Sequence, residues 1–329
     1  MIGDNAENGF IANNFCFTNG EIYIEEGTLA NLIYGEKITK EQLETIPSNV
    51  IPSRLFAYSS GLKSVHKGFL PATTLSMNCY YGMFYGCYAL TAAPELPAKN
   101  LASSCYARMF YDCILLTTAP ELPATTLANS CYSAMFTSCY SLEKAPELPG
   151  VQHREYNFES GEYESVEGLA NGCYESMFAF CISLEKAPAL PSTILANRCY
   201  NDMFEDCISL EKAPELPGVQ HREYNFESGE YESVEGLANG CYMNMFNGCA
   251  ALTQAPQLPA ETLAASCYNR MFARCSSLCI SEGATDSPTK FFTCPTDIPN
   301  EAVTFMFSET GGSFTTGTPT AGKTYYYGK

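Results

Sequence analysis

Cysteine is the residue most able to do chemistry in this chain. There are 17, against three histidines, His66, His153 and His221. Fourteen of the cysteines fall into seven Cys-x7-Cys pairs, which begin at Cys79, Cys105, Cys131, Cys173, Cys199, Cys241 and Cys267. A thiol can ligate a metal, exchange disulfides or act as a nucleophile, and each role needs its own setting. Cys-x2-Cys metal spacing is absent. Two cysteines eight positions apart on one helix lie about 12 Å apart along its axis, beyond the ~7 Å that a disulfide spans between Cα atoms. The expectation is two columns of buried, reduced thiols packed as small hydrophobes, with disulfides between repeats as the alternative. Cys275, Cys279 and Cys294 are less regular. A capping disulfide or a partial zinc site is open there, although no histidine lies nearby. No Ser-His-Asp or Cys-His arrangement, phosphate loop or Asp-x-Asp-x-Asp-Gly calcium loop is recognisable. No enzymatic activity, metal or cofactor is expected.

The elements that place these thiols are internal repeats. The Cys-Tyr dipeptides are spaced by 26, 26, 42, 26, 42 and 26 residues. Since 42 is 26 plus 16, one period carries a 16-residue insertion twice. Periods of this size mark solenoids or propellers. In one unit the apolar residues are Leu101, Ala102, Cys105, Tyr106, Met109, Phe110, Cys113 and Leu116. These pairs step by four, which predicts one face of a helix of about three turns. Thr125 and Thr126 are placed to cap the helix that follows. In "LTTAPELP" the prolines forbid helix and allow a short extended piece. A degenerate copy, "RLFAYSSGLKSVHKGFLP", precedes the first regular unit.

The pattern "MFTSCYSLEKAPELP" (Met135–Pro149) resembles the BspA-like leucine-rich repeats of bacterial surface proteins and of gut-phage proteins, over about residues 47–280. The expected fold is an α/β repeat, a leucine-rich-repeat solenoid of 26-residue helix-strand units with small β-rich terminal caps. The resemblance implies a right-handed arc, adhesion or recognition as the common role, and no catalytic residues. Three regions are expected. Residues 1–46 form an N-terminal cap, with a hairpin around Asn19-Gly20 and a short helix in "TKEQLETI". Residues 47–280 form the solenoid. Residues 281–329 form a β-rich C-terminal cap, with "FFTC", "VTFMF", "SFTT" and "TYYYG" as strands.

The insertions span residues 150–168 and 218–236. They lie in a longer duplication, with Ser141–Tyr174 identical to Ser209–Tyr242. Within them "EYNFESGEYESV" alternates aromatic and acidic residues about Ser-Gly, which predicts a β-hairpin on the edge of the solenoid. Recent duplication explains the identity but not the composition. Each insertion has five Glu and one Arg. Tyr156, Phe158 and Tyr163, with Tyr224, Phe226 and Tyr231, suit sugar stacking or contact with a basic protein surface. Packing back onto neighbouring repeats is the alternative. A second candidate surface is the strand side. Glu95, Glu121, Glu147 and Glu215 recur at one unit position, and Lys144, Lys186 and Lys212 are placed to relieve their repulsion. That face is either solvated or a recognition surface.

A net charge of −18 over 329 residues argues against nucleic-acid binding and anionic membrane surfaces. No apolar run reaches 18 residues, so no membrane insertion is expected. "MIGDNAENGF" has neither a basic start nor an apolar core, so no signal peptide is read. By resemblance the location is the cell surface, the extracellular space or a virion, and a cytoplasmic location stays open. The expected function is a non-enzymatic binding or adhesion protein for a protein or surface glycan, with self-assembly possible. A structural component of a phage virion or tail fibre and a cytoplasmic scaffold are the alternatives.

Overall fold

The computed structural model describes residues 15–18, 20–34, 37–46, 52–150, 152–157, 161–228, 230–258, 260–283 and 290–327, with the side chains of 156 and 157 excepted. Its regular elements, in chain order, are β1 (Ile22–Ile24), α1 (Leu29–Tyr34), α2 (Lys40–Glu44), β2 (Leu62–Val65), β3 (Thr126–Leu127), β4 (Gln152–Asn157), β5 (Glu162–Glu167), β6 (Ile194–Leu195), β7 (Gln220–Asn225), β8 (Glu230–Glu235), β9 (Cys279–Ser281), β10 (Lys290–Thr293), β11 (Gly311–Gly312) and β12 (Thr324–Tyr327).

The repeat helix is not formed. Its place is taken by a ladder of turns with a period of four residues. Within Ser104–Cys113 the N–H groups alternate between two uses. Those of Cys105, Ala107, Met109, Tyr111 and Cys113 donate three residues back, to Ala102, Ser104, Tyr106, Arg108 and Phe110. Those of Ser104, Tyr106, Arg108, Phe110 and Asp112 donate to the next unit, at the carbonyls of Asn129, Cys131, Ser133, Met135 and Thr137, over 2.8–3.1 Å. A helix would instead give every interior N–H the carbonyl four residues back. The alternation satisfies the buried backbone, as burial requires. It also joins each unit to the next.

The conformational cost falls on one residue in four. Ser104, Arg108 and Asp112 have φ of 52°, 56° and 58°, in the left-handed region. The same positions recur with Gly or Asn in other units, as at Asn78, Gly82, Gly86, Gly172, Gly240, Asn244 and Gly248. An L-residue held there costs about 1–2 kcal/mol, and glycine avoids that cost.

Four columns of buried side chains run through the stack. Phenylalanine rings stack from Phe56 through Phe84, Phe110, Phe136, Phe178, Phe204, Phe246 and Phe272 to Phe307, with centroids 5.5–5.9 Å apart. Tyr80, Tyr106, Tyr132, Tyr174, Tyr200, Tyr242 and Tyr268 form a second column at 5.8–6.0 Å. Both cysteine columns are buried as free thiols. They differ in their bonding. In the second column Cys87, Cys113, Cys139, Cys181, Cys207, Cys249 and Cys275 each donate Sγ–H to the phenylalanine carbonyl of the preceding unit, over 3.0–3.2 Å. Burial pushes thiols of the first column such as Cys131 and Cys199 up to about 12, so they are protonated at neutral pH.

The Pro-containing segments give single-residue parallel bridges. One column runs Ala92–Thr118–Lys144–Lys186–Lys212–Gln254, and another Thr45–Thr74–Asn100–Thr126. Thr126 therefore belongs to a bridge rather than to a helix cap.

The ends depart from expectation in three places. β1 pairs in parallel with β2 rather than folding back as a hairpin, and Phe15 and Phe17 lie against Phe56. The hairpin's Asn19 lies outside the described residues. "VTFMF" is not a strand. Residues 300–308 form a further rung, whose carbonyls accept from Ser266, Tyr268, Arg270, Phe272 and Arg274. "SFTT" is irregular, and its Phe314 packs on Phe307 and Tyr325. Helix α2 forms in "TKEQLETI" with a capping box from Thr39 to Gln42, and β10 and β12 form in "FFTC" and "TYYYG".

Gly240 tests the ladder against a helix. Its φ is +59°, and an added Cβ would meet only Arg198 Cγ, at 3.5 Å. Gly240→Ala is expected to lower stability by about 1 kcal/mol in urea denaturation. On a helix the same change would raise it by about 1 kcal/mol.

Candidate functional site

Both insertions leave the stack through glycines. Gly150 has φ +89°, and a Cβ there would lie 2.6 Å from Leu127 Cγ. In the second copy a Cβ on Gly218 would lie 2.5 Å from Leu195 Cγ. The chain returns through Gly168 and Gly236, with φ +115° and +119°. The turn ladder skips the insertion, since Ser130 and Tyr132 donate directly to Asn171 and Cys173.

Each insertion is a β-hairpin, as its alternation predicts. β4 pairs antiparallel with β5 and in parallel with β3, and β7 pairs likewise with β8 and β6. A histidine fixes each base. His153 Nδ1 meets Gly168 O at 3.1 Å and its Nε2 meets Glu155 Oε1 at 2.9 Å. His221 repeats this with Gly236 O at 3.1 Å and Glu223 Oε1 at 3.0 Å. A carbonyl and a carboxylate both accept, so both bonds form at once only on a doubly protonated ring.

The hairpins are joined to each other. Arg222 Nε lies 3.0 and 3.1 Å from the two oxygens of Glu155, and its Nη2 donates to Tyr231 O at 3.0 Å. Burial raises the Glu155 carboxyl, but bonds from His153 and Arg222 and the Arg222 charge outweigh it and hold the group below the usual carboxylate range. Among the described residues the equivalent Arg154 has no such partner. Its guanidinium sits 5.5 Å from the Tyr163 ring centroid, a cation–π contact.

A cleft of ≈ 350 Å³ lies between the hairpins. Arg154, Glu155, Tyr163, Arg222 and Tyr231 wall it, and Asn129, Asn171 and Asn197 line its stack side. Asn171 and Asn197 belong to a ladder, in which Asn197 N–H donates to Asn171 Oδ1 and Asn239 N–H donates to Asn197 Oδ1, both at 3.1 Å.

Of the residues chosen from sequence, Tyr163 and Tyr231 reach this cleft, 60% and 39% exposed. Tyr224 packs edge-on against Phe226 and Tyr231, with centroids 5.0 and 5.2 Å apart, and Phe226 is 91% exposed. Phe158 and the side chain of Tyr156 lie outside the described residues. Glu95, Glu121, Glu147 and Glu215 are exposed and outside the cleft. The expected Lys–Glu relief is not seen. Lys144, Lys186 and Lys212 occupy adjacent bridges, and among the described residues none makes an ion pair with that glutamate column. Glu215 pairs instead with Lys290, at 3.0 Å. The lysines hold bridge positions, which stack like on like from unit to unit.

Sequence reasoning missed His153, Glu155, Arg154, Arg222 and the asparagine ladder. The signal for the ladder was Asn in the "Leu-Ala-Asn" of successive units. Among the described residues no group of three or more His, Cys, Asp or Glu is placed to hold a metal ion, and no helix is long and apolar enough to cross a membrane. No protein-family model, curated protein or solved structure matches the chain.

Arg222→Met should raise the Glu155 titration midpoint, followed by NMR, because burial is then opposed only by the bond and charge of His153. In the intact protein the lowered carboxyl contributes stability above its unfolded value of about 4.3. That contribution is lost as pH falls through the lower folded value. An unchanged midpoint would mean that Arg222 does not hold the carboxylate.

Proposed function

We propose that the chain is a non-enzymatic binding protein of the adhesin type, which recognises a protein or surface glycan through its paired hairpins. The observation that carries this reading is the Arg222–Glu155 bond. It makes two hairpins, set two units apart, into the walls of one polar cleft with exposed aromatic side chains. Preorganised walls reduce the ordering cost of binding. The stack acts as a solenoid scaffold of the leucine-rich-repeat type, and the BspA-like resemblance supports a place at the cell surface.

A second reading has its own observation. Tyr88, Tyr140, Ile182 and Ile208 recur at the position after the second cysteine and are exposed. Such a stripe favours self-assembly, as in a virion component.

The test is binding of the labelled protein to bacterial cells, mucin and a glycan panel, beside a variant lacking Gln152–Val166 and Gln220–Val234. Each excision leaves a 27-residue spacing, one residue more than the uninterrupted 26-residue units of the same chain, so the stack is expected to close over both. Saturable binding by the intact protein and its loss in the variant are expected. No binding by either, with concentration-dependent assembly in sedimentation, would replace this reading with the structural one.

A further inference from the structure

We propose that the cleft between the hairpins takes a carboxylate-bearing sugar, with its acid group on Arg154. This rests on the binding role proposed above and names the ligand class.

Three features of the cleft lead to it. The first is a surplus of donors. A backbone N–H can only donate, so the bonds from Asn197 N to Asn171 and from Asn239 N to Asn197 fix the carbonyl end of each side-chain amide. The Nδ2 groups of Asn171 and Asn197 are left without a protein acceptor among the described residues, and both residues line the cleft. The carboxylate of the cleft is already engaged, since Glu155 is held by His153 and Arg222. A ligand rich in acceptors, such as hydroxyl and carboxylate oxygens, matches this surface.

The second feature is charge. Leaving the histidines aside, the lining sets Arg154 and Arg222 against Glu155, one positive charge in excess, within a chain of net charge −18. The excess follows from the duplication. Arg222 finds Glu155 because a hairpin precedes its own. Among the described residues no hairpin precedes the first, and Arg154 has no carboxylate partner. A guanidinium presents a planar fork that binds carboxylate through two parallel bonds. The third feature is the exposed aromatic wall of Tyr163 and Tyr231, suited to the C–H face of a sugar ring. The volume stands at the small end of ligand sites, which run from about 300 to 1,000 Å³.

Two chemically distinct acidic sugars test this with the full chain by calorimetry. One is an oligogalacturonate, the other sialyllactose, each beside its carboxyl-reduced form and beside an acidic peptide. The expected result is binding of at least one acidic sugar, with about tenfold or greater loss on carboxyl reduction, as for a lost charge-assisted contact. Arg154→Gln should bring the acidic sugar's affinity down to that of the reduced form and leave the reduced form unchanged. Asn197→Ala should weaken both. Equal binding of acidic and reduced sugar would overturn the carboxylate assignment and leave the hairpin binding role standing. Binding of the peptide alone would overturn the sugar. No binding of any probe would overturn the inference, and the cell and mucin assay then judges the wider role separately.

Discussion

The structure depends on how each repeat divides its backbone hydrogen bonds. Along a rung, alternate N–H groups close local three-residue turns, and the others reach the next unit. Neither set suffices alone. Turns without neighbours would leave half the buried donors unpaired, and unpaired buried donors are costly. Neighbours without turns would not return the chain to the core every fourth residue. The price is a left-handed residue in each four, as at Arg108 and Asp202. That conformation is sustained because stacked Phe, Tyr, Met and Cys side chains are buried completely on its inner side.

The same division explains where variation is tolerated. The rung is continuous from unit to unit even where the chain between them is longer, as in the bonds from Ser130 to Asn171 and from Arg198 to Asn239. An insertion in the bridge segment therefore extrudes sideways and leaves the core untouched. Duplicating a two-unit block set two identical hairpins near each other. Identity then became asymmetry, because one arginine gained a carboxylate across the gap and its twin, among the described residues, did not. The cleft is a product of that neighbourhood and not of either hairpin alone.

Much of this was legible in the residues. The 26-residue period, the 16-residue insertion, its hairpin and the buried columns all follow from spacing and alternation. The helix did not hold, for reasons also present in the sequence. At about 100° per residue, a step of four overshoots a full turn by about 40°, so Leu101, Cys105, Met109 and Cys113 would drift off one helical face. Gly, Asn and Asp at positions 78, 82, 86, 112, 202 and 206 favour the left-handed region over helix interiors. The last rung escaped notice because Ala302 and Val303 stand where other units have Cys-Tyr. The Arg222–Glu155 bond was not legible, since it joins corresponding parts of two copies and depends on how far apart the stack holds them.

The most direct test of the ladder is the backbone φ of Ser104, Arg108 and Asp112, from NMR couplings and intraresidue Hα–HN contacts. The account predicts positive φ at these three residues and negative φ at Tyr106 and Phe110 between them. Uniform helical φ across Ser104–Cys113 would contradict it and restore the helix.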